Sequence, residues 1–187
     1  SYLITNFHVL AGRDPLTFDP VHPSCGIPNF VKILHHYGAN FGNWKFFSYP
    51  LKDTDDKHLW IEHPSIKHVD LVALPIKIQD ANIKILPFNL SLANADLIPT
   101  PAMPVCVIGF PMGIASGGAW PIWKTGHIAT DPDLDYDNRP SFLIDATTRE
   151  GMSGSPVIIR LNGGFNTRSG NMILAGGFTT KFLGVYS

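Results

Sequence analysis

Charge is scarce in this chain. Only 16% of its 187 residues are Asp, Glu, Lys or Arg, the formal net charge is −1, and no cluster or stripe of Lys and Arg occurs. That excludes the basic footprint with which a protein neutralises a phosphate backbone, so nucleic acid is not an expected partner. Long apolar runs are missing as well: none approaches the roughly 18 residues that a membrane-spanning helix needs. Two cysteines, Cys25 and Cys106, are too few for a disulfide framework and do not identify a redox compartment. No helical period extends beyond two turns, and no internal repeat is present.

What is there reads as a folded β protein. Hydrophobic residues make up 44%, well outside the composition of a disordered chain. Seventeen glycines and sixteen prolines punctuate short apolar runs along the whole length, the pattern of an all-β chain with many turns. Strands are expected near 2–5, 30–37, 44–49, 57–62, 69–76 and 83–88, with one helical turn over 6–12 and a proline-rich surface loop over 13–29. Residues 89–104, with Pro99, Pro101 and Pro104, are expected to link two halves. Beyond them, strands are expected at 105–109, 120–130, 141–146, 156–161, 171–178 and 182–187. The expectation is two antiparallel β units of five or six strands, 1–88 and 105–187, for which barrels and sandwiches both serve. The segment opens on the apolar Tyr2-Leu3-Ile4 and stops within Phe182-Leu183-Gly184-Val185-Tyr186-Ser187, where a polar tail is usual, so it is expected to be excised from a longer protein. Such a segment has no signal peptide to read, and no compartment is assigned.

The chemistry concentrates in Glu150-Gly151-Met152-Ser153-Gly154-Ser155-Pro156-Val157. Glycines on both sides of a serine imply a bent backbone that exposes the Ser153 hydroxyl. The same bend can aim the amides of Gly151 and Ser153 at one point, as an oxyanion requires. Two further polar residues stand out in apolar surroundings. His8 can take a serine proton near neutral pH. Asp70 is carried indoors by Val69, Leu71, Val72 and Leu74, and a carboxylate there needs a partner; orienting His8 is one such partnership. Taken singly, each residue has an ordinary explanation as a cap, a strand start or a turn. Together, in the order His8, Asp70, Ser153, they point to nucleophilic acyl transfer. The α/β-hydrolase order places serine first within G-x-S-x-G, and here Ser155 occupies the last position of that motif; the subtilisin order begins with aspartate. Histidine, aspartate, serine on an all-β chain is the chymotrypsin order.

The eight histidines raise a metal alternative, with His22-x-x-Cys25, His35-His36 and the pair His63 and His68 as the nearest candidates. None has the paired spacing of a structural zinc site, so neither metal nor cofactor is expected.

These residues resemble a known family. Thr5-Asn6-Phe7-His8-Val9, Asp70-Leu71-Val72-Ala73-Leu74, Val107-Ile108-Gly109-Phe110-Pro111-Met112-Gly113, Lys124-Thr125-Gly126-His127-Ile128, Ile144-Asp145-Ala146 and the serine turn are similar, in order, to motifs of trypsin-like (chymotrypsin-fold) serine peptidases. The bacterial HtrA-type and glutamyl-endopeptidase branches are the nearest. The resemblance implies two six-stranded antiparallel barrels, here lacking outer strands at both ends, with His8 and Asp70 in the first and Ser153 in the second. It implies a serine endopeptidase acting on peptide or protein substrates, or failing that a catalytically silent homologue that binds them. It places Thr147 and Thr148 at the pocket for the substrate side chain and Ser187 near the aspartate. Neither threonine is charged, so a preference for Lys or Arg is not implied, and Tyr186 stands where the glutamyl endopeptidases carry a histidine. Digestive members carry an aspartate before the nucleophile that receives a new N-terminus; Met152 occupies that position and cannot form the ion pair.

Overall fold

The apolar stretch that contains Asp70 is paired on both edges. Its strand β5 (Val72–Pro75) lies between β1 (Tyr2–Thr5) and β4 (Ile61–Glu62), antiparallel to each, in the computed structural model, which describes residues 1–40, 42–66 and 68–187. Side chains alternate across a strand, so Val72 and Leu74 turn inward at 2% and 1% exposure while Pro75 faces out. Helix α1 (Phe7–Ala11) follows β1 at once. It buries Phe7, Leu10 and Ala11, the i, i+3 and i+4 positions of one face, and thereby turns His8 and Val9 off the core. The Gly12 N–H ends the helix on the His8 carbonyl at 3.0 Å.

A second sheet, in the order β3 (Trp44–Pro50), β2 (Phe30–Tyr37), β6 (Ile83–Lys84), supplies Tyr49 to the same core, where Leu51, Trp60 and Ile76 also lie. Together these elements make one compact unit, Ser1–Pro87, to which Gly117–Ala119 and Ser187 also belong.

The other unit comprises Phe88–Ser116 and Trp120–Tyr186. Its five strands form one antiparallel sheet in the order β11 (Met172–Val185), β10 (Pro156–Asn166), β7 (Pro104–Gly109), β8 (Ile122–Ile128), β9 (Ile144–Ala146). Val105, Val107, Ile128, Val157 and Ile159 build its core with Leu97 and Met152, both fully buried. Residues 89–104 are bound into this unit. They hold a 3-10 turn at Leu90–Asn94, and the Lys181 ammonium donates to the Ala93 and Ala95 carbonyls.

Among the described residues, α1 and two short 3-10 turns are the whole of the helical structure, and the fold is all-β. Several strands differ in extent from expectation. Around 57–62 only Ile61–Glu62 pairs as a strand, with His58 in an isolated bridge to Lys52, and around 83–88 only Ile83–Lys84 does, because each finds a single short stretch of neighbouring strand. Conversely, the stretches 171–178 and 182–187 form one strand, β11. Glycines 176 and 177 do not end it: they fall in a bulge, where Asn162 pairs with Phe178 and Gly164 with Leu174, and pairing resumes on either side.

Burial predicts a contrast between two leucines. Leu74→Ala, at 1% exposure, is expected to cost about 2–5 kcal/mol and to lower the urea midpoint. Leu174→Ala, at 81% exposure, is expected to change stability by less than about 0.5 kcal/mol.

Candidate active site

The first unit assembles a histidine–carboxylate pair through strand register. Thr5 at the end of β1 is directly opposite Val72 at the start of β5. The residues just beyond that pair, on either strand, are therefore neighbours: His8 in the first turn of α1 and Asp70 two positions ahead of β5. The Asp70 carboxylate closes on the helix start at both oxygens. Oδ1 accepts the His8 backbone N–H at 3.0 Å, and Oδ2 lies 2.7 Å from His8 Nδ1. The Ser187 hydroxyl donates to Oδ2 at 2.9 Å. Behind them, the Asn6 amide donates to the Asp70 carbonyl at 2.7 Å.

The electrostatics follow from these bonds. The hydrogen bond to Asp70 holds the His8 pKa above its ordinary 6.5; burial opposes this, and the charges of Asp70 and Asp14 reinforce it. Burial works to raise Asp70, but the bonds from the His8 ring and backbone, the His8 charge and the Ser187 hydroxyl outweigh it and leave the carboxyl below its ordinary 3.8. With Nδ1–H directed at a carboxylate, the neutral imidazole carries its lone pair on Nε2, which is the form a general base needs.

The second unit shapes the serine turn from two successive reverse turns. The Met152 N–H bonds the Arg149 carbonyl at 3.2 Å with Gly151 at φ +84°, and the Ser155 N–H bonds the Met152 carbonyl at 2.9 Å with Gly154 at φ +85°. A hydrogen bond from residue i+3 to i with positive φ at i+2 is the type II arrangement, which is why glycines recur at this spacing of three. Ser153 is the leading corner of the second turn, and Met152 between the two is buried in the core. The end of β11 braces the turn, with Gly154 N–H donating to the Tyr186 carbonyl at 2.9 Å and Tyr186 N–H to the Ser155 carbonyl at 2.8 Å.

The residues that the resemblance places at the substrate pocket and beside the aspartate have these surroundings. Thr148 Oγ1 meets the Tyr186 hydroxyl at 2.5 Å in the second unit, Thr147 is exposed, and Ser187 lies on Asp70 in the first. Asn6 is a contact that reading for reactive residues passes over, and the hydrogen bond between Tyr186 and Thr148 is one that its position in the family motif does not reveal. Asn6 had a signal in its polarity within Thr5-Asn6-Phe7-His8-Val9-Leu10, where it is 1% exposed. Of the histidines weighed as metal ligands, His22 and His63 bond within their own loops, His22 Nδ1 lying 2.8 Å from Ser24 Oγ and His63 Nδ1 accepting the Ser65 and Ile66 N–H groups, while His68 Nδ1 lies 2.7 Å from the carbonyl oxygen of the distant Pro15.

The pair makes a signed prediction. In an NMR titration His8 should titrate above 6.5 in the native protein and at a lower pH in Asp70→Asn, which removes the carboxylate. The His8 contribution to stability is complete below 6.5 and is lost as pH rises through its raised native pKa; that of Asp70 is present above 3.8 and is lost as pH falls through its lowered native pKa. The stability gap between native protein and Asp70→Asn is thus expected to be widest between those limits and to narrow toward both extremes.

Comparison with known proteins adds one finding. The family model of the trypsin-like peptidase domain matches residues 1–163, a span that includes His8, Asp70, Gly151 and Ser153. No curated protein and no solved structure shows significant similarity to the chain. The match covers most of the chain, its fold is all-β, and a histidine–carboxylate pair and a glycine-flanked serine turn fall within the matched span. The chain belongs to the trypsin-like peptidase family.

Proposed function

We propose that this chain is a serine endopeptidase in which His8, Asp70 and Ser153 form the catalytic triad. The observation that carries the proposal is the two-point grip of the Asp70 carboxylate on His8, backbone and ring, which selects the tautomer with its lone pair on Nε2. In the proposed cycle His8 Nε2 takes the Ser153 hydroxyl proton as the serine oxygen attacks a peptide carbonyl. The amides of Gly151 and Ser153 stabilise the oxyanion, and His8 then gives the proton to the leaving amine. Water, deprotonated by His8, cleaves the acyl-enzyme and restores Ser153. The two expected halves of the chain are proposed to supply one half of this machinery each, residues 1–88 the base and its carboxylate, residues 105–187 the nucleophile. No cofactor enters the cycle.

The finer features are also proposals. A relationship to the bacterial HtrA-type and glutamyl-endopeptidase branches is supported by the motifs around His8 and Asp70. Met152, buried among apolar neighbours, stands at the position before the nucleophile and cannot form an ion pair with an N-terminus, which supports activity without N-terminal processing. The pairing of Thr148 with the Tyr186 phenol presents neutral hydroxyls, which supports a small or medium uncharged substrate side chain.

Two measurements test the proposal. A fluorophosphonate probe should label Ser153, and Ser153→Ala should abolish labelling and lower peptide turnover by about 10³-fold or more with little change in melting temperature. Turnover that survives the substitution removes Ser153 from the mechanism. The acid limb of kcat/KM should report the free enzyme's His8 at a pKa above 6.5, with activity lost as pH falls through it, because protonated His8 cannot accept the serine proton.

A further inference from the structure

The reverse turn that carries Gly151 does not by itself determine where the Gly151 amide points. Type I and type II turns differ chiefly by a flip of the central peptide, and both keep the hydrogen bond that closes the turn. Here that central peptide joins Glu150 to Gly151, and the closing bond runs from Met152 N–H to the Arg149 carbonyl. If the peptide flips, the Glu150 carbonyl replaces the Gly151 N–H on the side that an oxyanion would need.

One bond from outside the turn distinguishes the two states. The Met112 N–H donates to the Glu150 carbonyl at 2.6 Å. A trans peptide directs its C=O and N–H in opposite directions, so holding the carbonyl toward Met112 aims the Gly151 N–H away from it. The segment that delivers this donor is built for close approach. A Cβ on Gly151 would fall 2.8 Å from the Phe110 carbonyl oxygen and 3.3 Å from Met112 N, so backbone lies directly on backbone. Met112 is itself left-handed, at φ +54°, a conformation that a side chain with a Cβ disfavours. Its side chain is 69% exposed, so core packing does not account for that conformation. The turn is closed around it by Gly113 N–H to the Phe110 carbonyl and Ile114 N–H to the Pro111 carbonyl, both at 2.9 Å.

We propose that Met112 is a positioning residue, whose backbone N–H locks the Glu150–Gly151 peptide in the orientation that presents the Gly151 amide to the oxyanion. The inference rests on the serine-peptidase proposal for its consequence, but not for its geometry. Met112 touches no reacting atom in this role, and it acts through Gly151 alone.

The direct test replaces the amide at position 112 by an ester, with the α-hydroxy analogue of methionine, which deletes the N–H and retains the side chain. The 15N–1H dipolar coupling of Gly151 reads the peptide orientation whether or not the protein turns over. It should shift away from the native value in the ester, and an unchanged coupling overturns the proposal. In kinetics the ester should lower kcat by about 10- to 100-fold with KM within about twofold, and should weaken a peptide aldehyde, which forms the oxyanion, more than a product peptide, which does not. Met112→Val, which disfavours positive φ, should behave like the ester, and Met112→Gly, which accepts it, should restore the native coupling and kcat. A Met112→Val protein with native coupling and kcat would also overturn the proposal. Absence of labelling and turnover in the native protein would count against the serine reading alone, and the Gly151 coupling would still decide the role of Met112.

Discussion

A carboxylate that its own strand carries into the protein has to be answered, and the first unit is arranged around that demand. Asp70 lies two positions ahead of β5, its side chain is 16% exposed, and an ion so placed without partners would cost several kcal/mol. The antiparallel pairing of β1 with β5 brings the start of α1 to it, with the His8 backbone N–H, the His8 ring and the Asn6 amide directed at its atoms. The same short, charge-assisted contact that stabilises the acid raises the base. The bond between the ring and the carboxylate thus contributes to both shifts, raising His8 and, together with the His8 backbone N–H, the His8 charge and the Ser187 hydroxyl, lowering Asp70. A pair held in this way is at once a structural solution and a poised proton acceptor.

The second unit meets a different constraint, the presentation of backbone amides. Polar main chain at a turn is readily solvated and readily flipped, so it needs anchors. Met152 provides one, since a fully buried side chain shared by two successive turns fixes the level of both. The end of β11 provides another by pairing Tyr186 with Gly154 and Ser155, and Met112 a third by engaging Glu150. None of these anchors is reactive, yet the chemistry proposed for Ser153 depends on amides they hold still.

Much of this is visible in residue order, and the visible parts are local. Phe7, Leu10 and Ala11 at helical spacing orient α1, and with it His8, whatever else the chain does. The apolar neighbours of Asp70 announce its burial, and glycines three apart at 151 and 154 announce two turns in succession. Strand lengths were less legible, because a strand ends where its neighbour ends and not where its own propensity fades; β4 and β11 err in opposite directions for that reason. The contacts of Tyr186 and Met112 were not legible because they are made by one hydroxyl and one N–H whose partners are 38 residues away in each case.

The division follows from the range of the forces. Burial patterns and φ preferences belong to a few consecutive residues, so amphipathic faces, turn positions and the all-β character can be read without coordinates. Register and long-range hydrogen bonding depend on which distant segments meet. Only the packed chain could show that Thr5 opposes Val72, so that the acid finds its histidine, or that the Phe110–Gly113 turn lies against Gly151 and orients its peptide. Residue chemistry named the candidate groups; packing set the atoms that hold them.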